Sequence, residues 1–233
     1  TLIFSLDQYR KVVEAYLSGL ERAREAGVDL STLHSVASVF VSRIDAEVDA
    51  RLDAIGTDEA AGLRGEAGLA NCRLTHRVRS QLFDSERFRV LEAAGARAQR
   101  LLWASTGTKD PSYPDTMYVT GLVTPDTVNT MPEKTLEATF DHAVVEGDTI
   151  TATYAPSRAV FEGLAAVGVD FDDVTQVLED EGVAKFIDSW HDLLTQVTAG
   201  LQTARDANIP VVGMDAGNDP LLATNVTSDG VAM

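Results

Sequence analysis

Two kinds of hydrophobic pattern alternate along residues 1–142 of the chain. Short segments rich in apolar and small residues predict β-strands at residues 1–5, 35–41, 101–105 and 127–130. After the first strand, apolar residues recur every three or four positions, which predicts a helix from Asp7 to a stop near Gly27. The segment 35–41 does not alternate regularly between apolar and polar residues, as expected of a strand that is covered on both faces.

Segments with helical spacing of apolar residues also lie between the later strands. It predicts helices over residues 44–56, 58–81, 85–95 and 116–122, a loop over 106–114, and a further helix that begins at Pro132. A strand followed by a helix, repeated four times, indicates βαβ units and a parallel sheet. Four such units are half of a closed eight-stranded barrel, but an open four-stranded sheet fits the same pattern.

After residue 145 the pattern contains helices without intervening strands. A turn-rich joint at 145–149 precedes three predicted helices over residues 157–168, 171–181 and 183–204. Residues 208–233 carry Gly, Asp, Asn and Pro throughout and predict a weakly ordered tail.

The composition is that of a globular protein, with 45% hydrophobic and 24% charged residues. No apolar run approaches the ~20 residues that a membrane-spanning helix needs, so we expect no membrane association. The single cysteine, Cys72, cannot form an internal disulfide, which favours a reducing, cytoplasmic setting. The four histidines do not follow metal-ligand spacing, and we expect neither a metal nor a cofactor.

The formal net charge of −17 argues against a nucleic-acid partner, because 19 basic residues face 36 acidic ones. An anionic small substrate would therefore need cations that are placed locally. Lysines are scarce, and they are Lys11, Lys109, Lys134 and Lys185.

One arginine lies where such a cation is useful. The apolar strand at 35–41 leads through Ser42 to Arg43, which opens the next helix. A guanidinium at the carboxyl end of a buried parallel strand is typical of an anion site at the mouth of an α/β barrel. The alternative is an arginine paired with Asp45 or Glu47 on the surface of the helix.

Four segments resemble a known family, the transaldolases. The run from Thr1 to Tyr9 resembles the strand-to-helix segment that follows the family's Schiff-base strand, and Ser38 to Asp45 is similar to its sixth-strand signature. The segments 102–109 and 126–132 are similar to the seventh and eighth strands of the longer bacterial form. The likeness is continuous from Thr1 to about Val197.

The resemblance implies an α/β fold, namely the C-terminal half of a (β/α)8 TIM barrel with additional C-terminal helices. Strands 5 to 8 would occupy residues 1–145, a helical extension 146–204, and a weakly ordered tail 205–233. It also implies a cytoplasmic enzyme of the pentose phosphate pathway. That enzyme would transfer a dihydroxyacetone unit from sedoheptulose 7-phosphate to glyceraldehyde 3-phosphate through a lysine Schiff base.

The sequence departs from the family at that lysine. The family's Schiff-base lysine lies upstream of the segment that Thr1 matches, so no residue of this chain occupies it. We therefore expect the chain alone to be inactive, and its partners to be phosphorylated sugars and the missing N-terminal half of the barrel or a second chain. Two alternatives remain, a non-catalytic barrel half that assembles with a lysine-bearing chain, and another phosphosugar aldolase.

The resemblance assigns roles to residues near the first two strands. Arg43 would bind the substrate phosphate, Ser38 would bind substrate hydroxyls, and Phe40 would shape the pocket wall. Thr1 would help to hold a catalytic water near the imine carbon. For Ser38 and Phe40 the alternative is plain packing inside the barrel.

Three further candidates lie at the later strands. Lys109 follows the third predicted strand and would be a second phosphate ligand, or else a solvated loop lysine beside Asp110. The Ser105 hydroxyl would bind phosphate or sugar, unless it only packs in the strand. Asn129 would line the pocket, or else satisfy backbone groups at its strand end.

Overall fold

The structure is a computed structural model that describes residues 2–207, 209, 211–214 and 223–226. Thr1, and with it the predicted catalytic role, lies outside the described residues, as does most of the predicted tail after residue 207.

Helices dominate the fold. They are α1 (Leu6–Glu25), α2 (Ser42–Ile55), α3 (Asp58–Ala61), α4 (Ala67–Phe83), α5 (Glu86–Ala93), α6 (Met117–Thr120), α7 (Glu133–His142), α8 (Tyr154–Ala166) and α9 (Phe171–Asp206). The strands are β1 (Val36–Phe40), β2 (Arg100–Ala104), β3 (Thr127–Asn129), β4 (Val211–Met214) and β5 (Ala223–Val226). Short 3-10 turns occupy Leu30–Thr32 and Thr151–Thr153.

A parallel sheet with the order β1-β2-β3 confirms the α/β prediction. The predicted strand at 1–5 contributes one parallel bridge, in which the Ile3 N–H donates to Ser38 O at 3.2 Å and the Phe40 N–H donates to Ile3 O at 3.0 Å. Successive parallel segments fit half of a barrel and an open sheet equally well, so the half-barrel stays a prediction.

The two faces of this sheet are not equally covered. Ala37 and Val39 of β1 and Leu101 and Trp103 of β2 are fully buried, in one core with residues of α1 such as Val13. The opposite face carries Ser38, Leu102 and Val128 in register, and these three are only half-buried. In the part of the chain described here, this face of β1 is therefore less covered than the other, and coverage of both faces stays a prediction.

Two helix boundaries also differ from the predictions. Residues 58–81 form α3 and α4 rather than one helix, because the chain turns at Gly65 with φ +72°, which favours glycine. Conversely, the predicted helices 171–181 and 183–204 are the single helix α9. Gly182 does not end it, since one interior glycine costs only about 1 kcal/mol.

The chain forms two compact units, Thr1–Asp180 and Glu181–Met233. In the second, β4 and β5 pair antiparallel, with Val211 opposite Val226 and Met214 opposite Ala223. The division into 1–145, 146–204 and 205–233 stays a prediction. Within the described ranges, no helix combines the length and apolar character that crossing a membrane requires.

Candidate active site

The candidate site is the edge of the sheet where the parallel strands end. Because the strands run in the same direction, their carboxyl ends meet at one edge, as in barrels that place their active sites there. The backbone pairing continues past β1, where the Val41 N–H donates to Ala104 O at 3.0 Å and the Ser42 N–H donates to Ser105 O at 3.1 Å. The residues that follow each strand are therefore held beside each other.

Arg43 lies in the first turn of α2, directly after β1, and its side chain is half-buried. The guanidinium carbon is 5.0 Å from the centre of the Phe40 ring, within the range of a cation–π contact. Glu47 forms its ion pair with Arg51 at 2.8 Å instead. Among the residues that the structure describes, no carboxylate lies within ion-pair distance of Arg43, so its hydrogen-bond donors are available to an anion.

Phe40 and Ser38 lie on the half-buried face of β1. The Phe40 ring packs against the ring of Phe4, which lies just before α1, with 5.4 Å between the two ring centres. This stack gives Arg43 an aromatic platform at the mouth of the strand. Among the described residues, the Ser38 hydroxyl forms no hydrogen bond. The structure therefore does not distinguish its predicted binding role from simple packing.

The two serines at the ends of β1 and β2 contact each other. The hydroxyl oxygens of Ser42 and Ser105 are 2.9 Å apart. Ser105 has φ +57°, a left-handed conformation that is unusual for a residue other than glycine. Such strained residues cluster at functional sites and cost about 1–3 kcal/mol each. Sequence reasoning selected Ser105 but missed Ser42.

Asn129, at the end of β3, has both ends of its amide engaged by the protein. Its Oδ1 accepts from the Thr106 hydroxyl at 2.8 Å, and its Nδ2 donates to Tyr118 O at 3.1 Å. This arrangement agrees with the alternative in which Asn129 satisfies neighbouring polar groups at a strand end.

Asp45 is buried directly beneath this edge and is only 2% exposed. The Gly68 N–H donates to its Oδ1 at 2.7 Å, and the Tyr118 hydroxyl donates to its Oδ2 at 2.6 Å. Burial raises the pKa of the Asp45 carboxyl to about 6, against the opposing effect of both hydrogen bonds. Burial, followed by the nearby Asp45 charge, also raises the pKa of the Tyr118 hydroxyl.

Lys109 lies at a different place from Arg43. It is exposed and borders a cavity of about 370 Å³. The cavity is lined by Ser42, Asp45, Ala46, Asp49, Ala50, Asp53, Arg64, Lys109, Asp110, Pro111, Tyr113 and Tyr118. Arg64 is bound there by Asp53 and by Asp110, the latter at 2.9 Å. The lining of this cavity therefore contains four aspartates together with Lys109, and it includes Ser42 and Asp45 but not Arg43.

The residues that sequence reasoning missed are Ser42, Asp45, Gly68, Thr106 and Tyr118. Only Asp45 and Ser42 carried a signal, since both flank Arg43 in the sequence. In the part of the chain that the structure covers, no group of three or more His, Cys, Asp or Glu residues could hold a metal ion.

Comparison with known proteins gives a consistent result. The sequence model of the family described as Transaldolase/Fructose-6-phosphate aldolase matches residues 1–197. A protein named Transaldolase from Arthrobacter sp. (strain FB24) is 60% identical over 208 residues, which are 89% of this chain and 56% of the relative.

Mycobacterial relatives with the same name agree. The protein from Mycolicibacterium smegmatis is 58% identical and that from Mycobacterium tuberculosis (strain ATCC 25618 / H37Rv) is 57% identical, each over 205 residues, 88% of this chain and 55% of the relative. The chain thus spans about half the length of the curated relatives it matches.

Proposed function

Because the chain belongs to the transaldolase/fructose-6-phosphate aldolase family, we propose that it supplies the phosphate-binding side of a transaldolase active site. The reaction transfers a dihydroxyacetone unit from sedoheptulose 7-phosphate to glyceraldehyde 3-phosphate in the pentose phosphate pathway, in the cytoplasm. The relatives named Transaldolase, at 57–60% identity, support this reaction over a simple aldolase cleavage.

The observation that carries the proposal is the guanidinium of Arg43 near the end of β1, which has no ion-pair partner among the described residues. A sugar phosphate needs fixed donors in a forked arrangement, which a guanidinium provides. The first turn of α2, which has no side-chain cap, adds the partial positive charge of a helix N-terminus at the same place. The phosphate end of the substrate would bind here, with Phe40 forming a wall and Ser38 and Ser105 binding hydroxyls.

The covalent chemistry belongs to a lysine outside this chain. When that lysine forms a protonated imine with the substrate, the imine accepts the electron pair released by carbon–carbon cleavage and tethers the three-carbon fragment. This chain orients the substrate. Lys109 stays a predicted second phosphate ligand and Asn129 a predicted pocket residue. We expect Lys109→Ala to matter less than Arg43→Ala, since Lys109 is exposed and borders a cavity that four aspartates also line.

We also propose that further polypeptide completes the barrel. The half-buried sheet face at Ser38, Leu102 and Val128 supports this, because parallel sheets are normally covered on both faces. So does a stripe of exposed apolar residues on α9 from residue 183 onward: Val183, Phe186, Ile187, Trp190, Leu193, Leu194, Val197 and Leu201. A stripe of that width is typical of a helix that packs onto a protein core.

The test combines this chain with the complementary N-terminal part of the Mycolicibacterium smegmatis relative. We expect transaldolase activity from the mixture, and borohydride trapping with fructose 6-phosphate to label only the added part. Arg43→Ala should raise KM for phosphorylated substrates at least tenfold, while Arg10→Ala, at an exposed site on α1, should not change it. Unchanged kinetics of Arg43→Ala, or a label on Lys109, would contradict the proposal.

The same mixture tests assembly. If the chain is a barrel half, its melting temperature should rise when the complementary part is added, whether or not the mixture is active. Dihydroxyacetone release that does not depend on an acceptor aldehyde would instead indicate a phosphosugar aldolase.

A further inference from the structure

The backbone of Arg43 is held from both sides by polar contacts. Before it, the Ser42 N–H donates to Ser105 O at 3.1 Å, and the two hydroxyls are 2.9 Å apart. After it, Asp45 accepts hydrogen bonds from the Gly68 N–H and the Tyr118 hydroxyl. The guanidinium lies over the Phe40 ring and forms no hydrogen bond or ion pair with the described residues, so the contacts on its two sides fix only the backbone from which the side chain extends.

The contacts on the two sides of Arg43 are parts of one closed ring. The Tyr118 carbonyl accepts from Asn129, and Asn129 accepts from the Thr106 hydroxyl, which follows Ser105 directly. We call the six residues Ser42, Asp45, Ser105, Thr106, Tyr118 and Asn129 the mouth ring. The mouth ring ties together the carboxyl ends of β1, β2 and β3.

We propose that Asp45 and Tyr118 are positioning residues, which fix the start of α2 through the mouth ring so that Arg43 meets a phosphate in a single orientation. The inference rests on the proposed function, in which Arg43 binds the substrate phosphate. Neither residue needs to touch the substrate, since Asp45 is 2% and Tyr118 1% exposed. Their hydroxyl–carboxylate bond joins α6 to the helix that carries Arg43.

The chain contains a matched control one helical turn further along α2. Asp49 accepts from the Gly65 N–H at 3.0 Å and from the Tyr113 hydroxyl at 2.5 Å, in the same arrangement as Asp45. The Tyr113 N–H, however, donates to Asp110 O in a loop. The Asp49 pair therefore joins α2 to loops and not to a strand end. It has the same kinds of donor and acceptor as the Asp45 pair but lacks the connection to the mouth ring, and Tyr113 is half-buried where Tyr118 is fully buried.

The experiment compares Tyr118→Phe with Tyr113→Phe in the intact chain. One readout is the hydrogen-exchange rate of the Ser42 amide, and the other is the dissociation constant for inorganic phosphate, followed by the Arg43 Nε–H signal in NMR. Removing the donor to a buried carboxylate typically produces effects of about tenfold. We expect Tyr118→Phe to raise both quantities about tenfold and Tyr113→Phe to change each less than about twofold.

Each effect on Ser42 exchange is compared with that variant's change in unfolding free energy, since Tyr118 is buried more deeply than Tyr113. Equal effects of the two variants on Ser42 exchange would overturn the inference, because the connection of Asp45 to the mouth ring would then make no difference to the start of α2. If Tyr118→Phe does not fold, Asp45→Asn, which keeps an acceptor for the Gly68 N–H, provides the same comparison against Asp49→Asn. Phosphate binding that survives Arg43→Ala would contradict the proposed function instead. The Ser42 exchange rate would still test whether Asp45 and Tyr118 are positioning residues, because this measurement needs no ligand.

Discussion

Replacing Gly68 with alanine tests how closely α2 and α4 are joined beneath Arg43. The Cβ of alanine would lie 2.7 Å from Asp45 Oδ2 and 3.0 Å from the carbonyl oxygen of Val41. The first distance is one that real Cβ atoms essentially never show. Neither oxygen moves freely, because the carboxylate is buried and hydrogen-bonded and the carbonyl belongs to the backbone. The two helices must therefore separate, or the Asp45 contacts must break.

The expected cost combines three effects. Overpacking a well-packed site costs about 1–3 kcal/mol. Loss of the hydrogen bond from the Gly68 N–H to the Asp45 carboxylate costs about 1.5–3 kcal/mol. The higher helix propensity of alanine offsets about 1 kcal/mol of this loss in stability. We therefore expect Gly68→Ala to lower the free energy of unfolding by about 1.5–5 kcal/mol.

Urea unfolding followed by tryptophan fluorescence measures this change. Trp103 is fully buried, whereas Trp190 is 58% exposed, so a Trp190→Phe background leaves Trp103 as the reporter of the core around the parallel sheet. The control is Gly19→Ala in α1, where no atom lies within 4 Å of the added Cβ. There we expect a gain of about 0.5–1 kcal/mol.

A double-mutant cycle identifies the contact responsible. In an Asp45→Ala background the contact to Oδ2 is absent, so Gly68→Ala should cost at least about 1 kcal/mol less than it does in the parent chain. A Gly68→Ala chain with the parent's urea midpoint, or an equal cost in both backgrounds, would refute the reasoning.

Three further predictions concern single groups. Burial raises the pKa of Asp45 to about 6, so the native state keeps a proton that the unfolded chain releases above about pH 4. The free energy of unfolding of the parent chain, measured relative to that of Asp45→Asn, should therefore fall by up to about 3 kcal/mol as the pH rises from about 4 to 7. Parallel pH profiles of the parent and Asp45→Asn would contradict this. Ser105 has φ +57°, so the free energy of unfolding of Ser105→Gly in urea should exceed that of Ser105→Ala by about 1 kcal/mol. The opposite order would exclude backbone strain at this position. Cys72 is buried, and burial raises the pKa of its thiol, so at pH 8 in urea the thiol should react with a thiol reagent no faster than the chain unfolds. Rapid labelling of the native chain would contradict this, because it would show that the thiol is accessible.

The helices and strands near the site could be predicted because each leaves a local pattern. The apolar spacing of α1 and α2 reflects one buried face of each helix, and the short apolar run of β1 reflects a strand in a parallel sheet. The break between α3 and α4 was missed because it depends on the left-handed turn at Gly65. The continuity of α9 was missed because a glycine is only a weak helix breaker.

The mouth ring could not be predicted, for a different reason. Its members Asp45 and Tyr118 are far apart in sequence, as is Gly68, which donates to Asp45, and no periodic pattern marks these contacts. Gly68 resembled any glycine near a helix start until the structure placed Asp45 against its backbone. The position of Arg43 after a strand follows from the order of elements, but its predicted phosphate-binding role comes from the resemblance to the transaldolases.

Arg43 keeps its charge available to an anion because other groups occupy the acids nearest to it in sequence. Asp45 is held by Gly68 and Tyr118, and Glu47 by Arg51. The net charge of −17 repels anions at long range, but at physiological ionic strength charges beyond about 8 Å are largely screened. In the proposed function, phosphate recognition by Arg43 must therefore come from short-range geometry, in which a fixed guanidinium gains more than a mobile one. The rigid contacts around the start of α2 supply that condition in an otherwise acidic chain.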